Sequence, residues 1–254
     1  MHVAVAGGTG TVGRYVVEAA RQRGHEATCL SRAAGVDLTS GAGLDSALGG
    51  VDVIIDCSNP DSLRRGPATR FFTEVTGRLH RAGGAGGARK LVALSIVGLD
   101  RAPGFGYYQA KLCHEAAVLA GPLPSSVLRA TQFHEFPGQV MLRSRRGPVA
   151  PVPRMRVRSV AARTVGEALV ALAEADTVGT APELAGPEVA DLVQLARALV
   201  RRRGGRTRVV PVPVPGAAGR AMRSGALLPS PGARFEGPTF EAWLAGGDAQ
   251  GRPV

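Results

Sequence analysis

The chain has 254 residues, 44% hydrophobic, 20% charged and only 4% aromatic. A globular chain this long buries roughly 70–75% of the surface its unfolded form exposes, enough for one large core. Cys29, Cys57 and Cys113 share no metal-type spacing and read as reduced, buried thiols in a reducing compartment; no metal is expected. No apolar run approaches the ~20 residues of a membrane span. Residue 2 already opens a strand-like segment, so a cytoplasmic protein without signal or anchor is expected.

The formal charge of +11 raises nucleic acid as a partner. Only Lys90 and Lys111 are lysines, so 29 of the 31 basic residues are arginines. With 35 glycines and 18 prolines, that usage reads as a compositional bias rather than a built patch. The densest stretch holds Arg143, Arg145, Arg146, Arg154, Arg156, Arg158 and Arg163. It lacks the interleaved aromatics of a single-strand platform and any helix-turn-helix pattern. The expected partner is a small-molecule substrate, not nucleic acid or a membrane, and the expected state is a monomer or homodimer.

Strands and helices alternate through the first half. His2 to Ala6 is an apolar run stopping at glycines, as a buried parallel strand does. Val12 to Arg23 carries Val12, Tyr15, Val16, Ala19 and Ala20 on one helical stripe, with Gly24 as its stop. Strands are predicted at Glu26 to Leu30, Val51 to Ile55, Leu91 to Ile96 and Ser126 to Leu128, with a short strand before Asp37. Helices are predicted near Ala68 to Ala82 and Tyr107 to Ala120, and Gly83 to Gly87 reads as a turn. This alternation predicts an α/β fold, a Rossmann-type doubly wound parallel sheet with a small C-terminal substrate lobe.

In the second half, residues 147–153 read as a stiff proline-rich connector. Thr164 and Glu167 have capping-box spacing, opening a helix to about Glu174. Val189 to Arg203 is amphipathic, and Val209 to Pro215 can only be an edge strand or an extended segment. The expected division is a dinucleotide-binding core at 1–135 and a substrate-covering part at 136–254. Both belong to one compact unit, with the 164–174 helix packed on the core.

The first strand runs into Gly7-Gly8-Thr9-Gly10-Thr11-Val12-Gly13. Gly7 permits a tight turn, Gly10 lets a pyrophosphate approach the backbone, and Gly13 allows close packing of helix on strand. The N–H groups of Thr11 and Val12 and the positive helix end then hold the phosphates. The second strand ends Cys29-Leu30-Ser31-Arg32, with no carboxylate to bond a ribose 2′-hydroxyl. Ser31 and Arg32 suit a 2′-phosphate instead, and Arg14 could reach it, so NADPH/NADP+ is the expected cofactor. Asp37 and Leu38 are adenine contacts, or Asp37 is a turn aspartate.

Tyr107 and Lys111 are four residues apart on a helix and share a face. With three tyrosines and two lysines in the chain, chance would give about 0.02 such ordered pairs. A phenol is a poor acid–base group at neutral pH, and a neighbouring ammonium stabilises its anion. Ser95, twelve residues upstream at a strand's carboxyl end, could hold a substrate oxygen. Ser95, Tyr107 and Lys111 are therefore the candidate catalytic residues, with Tyr108 the alternative proton source.

These features resemble the short-chain dehydrogenase/reductase superfamily, and within it the atypical NmrA-like, NAD(P)H-binding branch. The resemblance covers nearly the whole chain, through GGTGTVG at 7–13, LSR at 30–32, SIVG at 95–98, YYQAKL at 107–112 and LRATQFHEF at 128–136. PELAGPE at 182–188 and TFEAWLA at 239–245 are similar to the same branch. It implies that Lys111 bonds the nicotinamide ribose and supports Tyr107 as proton donor, while Ser95 orients the substrate carbonyl. Cys57, Ser58 and Asn59 line the cofactor, and Ala130 to Phe133, with Thr131 and Phe133, lie near the nicotinamide. Tyr108, Gln132 and His134 are the candidate substrate contacts. Members of the branch reduce quinones, enones or ketones, while others bind NADP(H) without turnover and sense redox state.

His134 is a substrate contact or a plain loop histidine, and His114 shares the face of Tyr107 or sits in packing. Neither histidine has a partner at metal spacing. Phe133, Phe136 and Trp243 line a pocket or pack a core. The reading is an NADPH-dependent oxidoreductase passing a hydride to a carbonyl, enone or quinone-type molecule. The alternative is a non-catalytic NADP(H) sensor that regulates a protein partner.

Overall fold

In the computed structural model, which describes residues 1–102 and 104–246, the chain opens with β1 (His2–Ala6), α1 (Gly13–Gln22) and β2 (Glu26–Leu30). Helix α2 (Leu44–Ala47) leads to β3 (Val53–Asp56), α3 (Arg65–Gly86), β4 (Lys90–Ile96), α4 (Gly106–Ala120) and β5 (Ser125–Ala130). There follow α5 (Phe136–Ser144), β6 (Val149–Pro153), β7 (Arg156–Val157), α6 (Ala162–Glu174), β8 (Gly179–Thr180) and β9 (Leu184–Ala185). The described chain closes with β10 (Ala190–Asp191), α7 (Leu192–Arg202), β11 (Arg208–Val212), α8 (Gly216–Ser224), β12 (Arg234–Phe235) and α9 (Phe240–Ala245).

The chain divides into two compact units. The first comprises Met1–Ile96, Gly106–Arg129 and Arg163–Pro182; the second takes Val97–Phe105, Ala130–Ala162 and the described residues from Glu183 onward. The units interleave in sequence, where the chain pattern predicts a single boundary after residue 135. Helix α6 falls in the first unit.

The first unit is built on a sheet of order β8-β5-β4-β3-β1-β2. The pairs β1–β2, β1–β3, β3–β4 and β5–β8 run parallel. Such strands are covered on both faces and read as continuous apolar runs. Accordingly Val3 to Ala6 and Val53 to Ile55 are fully buried. Strand order reverses between β2 and β3 around β1, and the register levels Ala6 with Leu30 and Asp56. The carboxyl ends of three strands therefore meet at a switch point, where open parallel sheets bind ligands. Leu30, Leu44, Leu48, Ile54, Leu79, Leu91 and Val127 form the core beneath it.

Three local readings change. Gly83 to Gly86 continue α3 rather than turn. A side chain at Gly83 would sit 2.4 Å from Ile54 Cδ1, and one at Gly86 2.2 Å from Leu48 O. These glycines thus admit close packing inside a helix. A 3-10 turn at Arg32–Ala34 replaces the short strand before Asp37. Helix α6 begins at Ala162, so Thr164 lies inside it rather than capping it; the extended bridge of Phe133 with Val160 ends just before, freeing the chain to coil.

In the second unit, the proline-rich stretch predicted as a connector is strand β6, paired in parallel with β11 from Val149↔Arg208 to Pro153↔Val212. A two-stranded sheet has only edge strands, which tolerate the missing proline donor. β7 pairs antiparallel with β10, and β9 pairs parallel with β12. Asp191 caps α7, accepting from Val193 N–H at 2.8 Å and Gln194 N–H at 3.4 Å. His134, Phe240 and Trp243 form a buried ring cluster. Among the described residues, no helix is long and apolar enough to cross a membrane.

Candidate active site

The turn after β1 is shaped by two glycines. Gly7 has φ +73°, a conformation L side chains rarely adopt, and a Cβ there would lie 2.8 Å from Cys57 O. A Cβ at Gly13 would meet Gly7 O at 2.1 Å, so the start of α1 lies directly on the turn. Gly10 N–H closes the loop onto Gly7 O at 2.9 Å. Thr9 and Gly10 are exposed at its tip, Thr11 is half-buried and Val12 is buried as the residue preceding α1. The first N–H groups of a helix lack intrahelical acceptors and carry its positive dipole end, which makes this an anion cradle.

At the neighbouring end of β2, Ser31 opens the 3-10 turn and Arg32 is exposed. Arg14 donates instead to Tyr15 Oη at 3.1 Å. Asp37 accepts from Thr39 N–H at 2.8 Å, and the bonds from Thr39 and Ser40, with Arg32 nearby, hold its carboxyl below the usual range. Its carboxylate braces this turn, and Leu38 packs against the core.

From the turn the contacts continue into the end of β3. Cys57 N–H donates to Ala6 O at 2.9 Å, extending the β1–β3 ladder, and burial pushes its thiol up. Ser58 N–H donates to Asp56 Oδ1 at 2.8 Å. Tyr107, at the start of α4, donates its hydroxyl to Asn59 Oδ1. Tyr108 is buried beside it, and burial pushes its phenol up to about 12. A phenol raised that far is a poorer proton source at neutral pH.

Lys111 is 5% exposed and donates to Leu94 O at 2.9 Å and to His114 Nδ1 at 3.2 Å. Its ammonium stands 4.4 Å from the Phe72 ring centre. Burial lowers it to about 8, opposed by the charge of Asp56. His114 Nε2 meets Asp56 Oδ2 at 3.1 Å, with both side chains fully buried. Asp56 is a member of the site that the sequence pattern did not single out. The available signal was an acid at the carboxyl end of a buried strand. Ser95 Oγ and Ser58 Oγ are buried without a hydrogen-bond partner among the described residues.

Residues 3–91 match the NAD dependent epimerase/dehydratase family. No significant match to a curated protein was found. Among solved structures, a short-chain dehydrogenase/reductase superfamily protein from Agrobacterium tumefaciens with bound NAD superposes with a TM-score of 0.68 at 19% identity, covering 98% of this chain and 96% of that one. The fold is that of a short-chain dehydrogenase/reductase. MoeE5 in complex with UDP-glucose and NAD gives 0.74 at 17% identity, with 96% of each chain covered. The dTDP-4-dehydrorhamnose reductase from Yersinia enterocolitica gives 0.61 at 17% identity over 83% of each.

In this short-chain dehydrogenase/reductase fold, the predicted glycines, Cys57, Ser58, Asn59, Tyr107 and Lys111 are joined through one run of contacts in the first unit. Lys111 bonds His114 and the Leu94 carbonyl, and Asn59 takes the Tyr107 hydroxyl. Thr131, Gln132, Phe133 and His134 belong to the second unit. Thr131 Oγ1 donates to Arg158 O at 2.5 Å, and Phe133 bridges Val160. Both polar ends of the Gln132 amide are buried without a partner among the described residues. His134 is held at Nδ1 by Ser159 Oγ at 2.9 Å and at Nε2 by Pro238 O at 3.1 Å. Burial lowers it to about 4. Both its nitrogens are thus engaged by the protein.

Proposed function

We propose that this chain is an NADPH-dependent oxidoreductase of the short-chain dehydrogenase/reductase type, in the NmrA-like branch, acting on a carbonyl, enone or quinone-type small molecule. The observation that carries the reading is the continuous run from the Gly7–Gly13 turn through Cys57 and Asn59 to Tyr107, with the buried Lys111 ammonium on the same helix. The residues fit a nicotinamide dinucleotide. The turn presents a cradle, Lys111 uses two of its three N–H donors within the protein, and Ser95 offers a buried hydroxyl with no protein partner.

Gly7, Thr9, Gly10, Thr11, Val12 and Gly13 would hold the pyrophosphate, and Ser31 with Arg32 the 2′-phosphate. The bound dinucleotide supplies the hydride. Tyr107 would deliver the proton to the substrate oxygen, Ser95 would orient that oxygen, and Lys111 would favour the phenolate left behind. The dinucleotide in the NAD-bound structures above lacks the 2′-phosphate. The preference proposed here rests on Arg32 and on the absence of an acid at the end of β2.

The test is loss of NADPH absorbance with quinones, enones and ketones. UDP-glucose and UDP-glucuronic acid with NAD+ belong in the same panel, because solved relatives hold them. Tyr107→Phe should lower turnover at least ~100-fold while leaving NADPH affinity within about twofold. Arg32→Ala should weaken NADPH about tenfold and leave NADH unchanged. Turnover indifferent to Tyr107 would remove its role. Tight NADPH binding with no turnover of any acceptor would turn the reading toward the sensor.

A further inference from the structure

Lys111 is the cation on which the proposed reaction leans, and it is buried with no carboxylate in direct contact. Its own bonds go to the Leu94 carbonyl and to His114 Nδ1. An ammonium has only donors, so Nδ1 must be the acceptor and the imidazole proton must sit on Nε2. Nε2–H then donates to Asp56 Oδ2 at 3.1 Å, and the second carboxylate oxygen accepts from Ser58 N–H at 2.8 Å. Ammonium, neutral imidazole and carboxylate form one satisfied chain. A second proton on His114 would set donor against donor at Lys111. A neutral Lys111 would leave the Asp56 charge with no cation on that chain.

We propose that Asp56 and His114 are positioning residues for Lys111: the carboxylate supplies the buried counter-charge, and the imidazole relays it and fixes where the ammonium points. The inference rests on the reading of Lys111 as part of the reductase site. Phe72 supports the arrangement from α3, stacked on the imidazole at 4.7 Å and 19° and facing the ammonium at 4.4 Å.

The groups acting on Lys111 are few. The end of β3 brings Asp56 and the residue after it Cys57, its own helix brings His114 and Glu115, β4 brings the Leu94 carbonyl, and α3 brings the Phe72 ring. Cys57 is uncharged, because burial and Asp56 push its thiol up. Glu115 is engaged by Arg129 through bonds of 2.8 and 2.6 Å. That leaves Asp56 as the counter-charge. Burial alone would push its carboxyl up, but the bonds from His114 and Ser58 and the Lys111 charge outweigh this and hold it below its ordinary range. Burial lowers both His114 and Lys111, so without Asp56 the ammonium loses its main support.

Only two lysines exist in the chain, so lysine-labelled NMR gives two side-chain signals, and Lys90→Met assigns them. In the protein without added dinucleotide, Lys111 should titrate near 8. Asp56→Asn and His114→Leu should each lower that midpoint by at least about one unit. His114→Gln, whose amide can accept from Lys111 and donate to Asp56, should restore most of it. In turnover, the first two variants should narrow the alkaline side of the kcat profile by the same shift, with a smaller change in KM. A folded Asp56→Asn protein with an unmoved Lys111 midpoint would overturn the proposal. Should that variant not fold, equal midpoints in His114→Leu and His114→Gln would do so. The NMR readout needs no turnover, so it fails or holds separately from the Tyr107→Phe test of the reductase reading.

Discussion

His114 and His134 are each 1% exposed, and burial drives both imidazoles below their ordinary range, yet their surroundings differ in kind. His114, in the first unit, stands between an ammonium and a carboxylate. His134, in the second, is held by a serine hydroxyl and a backbone carbonyl, edge-on to Phe240 and 5.5 Å from Trp243. The first surroundings carry charge on both sides of the ring, and the second are neutral. Burial and a lowered pKa are therefore shared by two histidines whose partners differ. What distinguishes the two is whether the partners carry charge and whether a reacting group lies next in the chain of contacts.

The strongest test of that distinction is a second charged pair in the first unit. Arg129 forks onto Glu115 with two hydrogen bonds, and the Glu115 side chain is 9% exposed. Removing one partner of such a pair leaves the other's desolvation uncompensated. Glu115→Ala should therefore cost about 3 kcal/mol in urea unfolding followed by circular dichroism. A loss below about 1 kcal/mol would place the pair with screened surface bridges, and the claim of a charged interior in this unit would fall.

His134 provides the contrasting measurement, because its contribution depends on pH without any charged partner. The folded protein holds it neutral down to about pH 4, while the unfolded chain binds the proton near its ordinary 6.5. Between those values the unfolded state carries more protons, so stability falls as pH falls from 6.5 to 4, by about 2–3 kcal/mol. Trp243 is the single tryptophan and touches this cluster, so its fluorescence reports the unfolding. His134→Phe should be less stable at pH 7, having lost two hydrogen bonds, but should lose most of that acid slope. A variant as acid-sensitive as the parent would mean other groups govern the window.

The same contrast explains what the sequence made legible. The bounds of β1 and β2 are both as predicted: β1 is a buried apolar run that stops at glycines, and β2, where only Leu30 is buried, is the edge strand laid in parallel register along it. The glycine turn, Tyr107 and Lys111 are legible because each depends on local spacing along one segment. Asp56 and its link to His114 are not, because that link is a contact across 58 residues that no period encodes. The proline-rich 149–153 segment misleads for a related reason, since only the pairing with β11 makes it a strand. Gly83 and Gly86 read as a turn by composition, whereas Ile54 and Leu48, from elsewhere in the fold, decide in favour of a helix.

Lys90 sharpens the comparison from its middle. It is a cation, like Lys111, and buried in the same unit, but no buried carboxylate stands behind its partners, the Leu172 and Ala175 carbonyls at 2.6 and 2.5 Å. Those carbonyls lie at the last turn of α6 and just beyond it, where a helix leaves acceptors unpaired and its dipole is negative. The charge thus serves as a cap, and burial lowers its pKa, opposed only by the charge of the exposed Asp176. Lys90→Met keeps most of the apolar stem and should cost only about 1 kcal/mol, the scale of a helix-end interaction. It should also leave the Lys111 titration and NADPH turnover unchanged, because nothing in the Asp56–His114 chain passes through it. A loss as large as that of Glu115→Ala would show that a buried cation on carbonyls is as costly to remove as a paired one. In that case a buried carboxylate behind the partners would no longer separate Lys111 from Lys90.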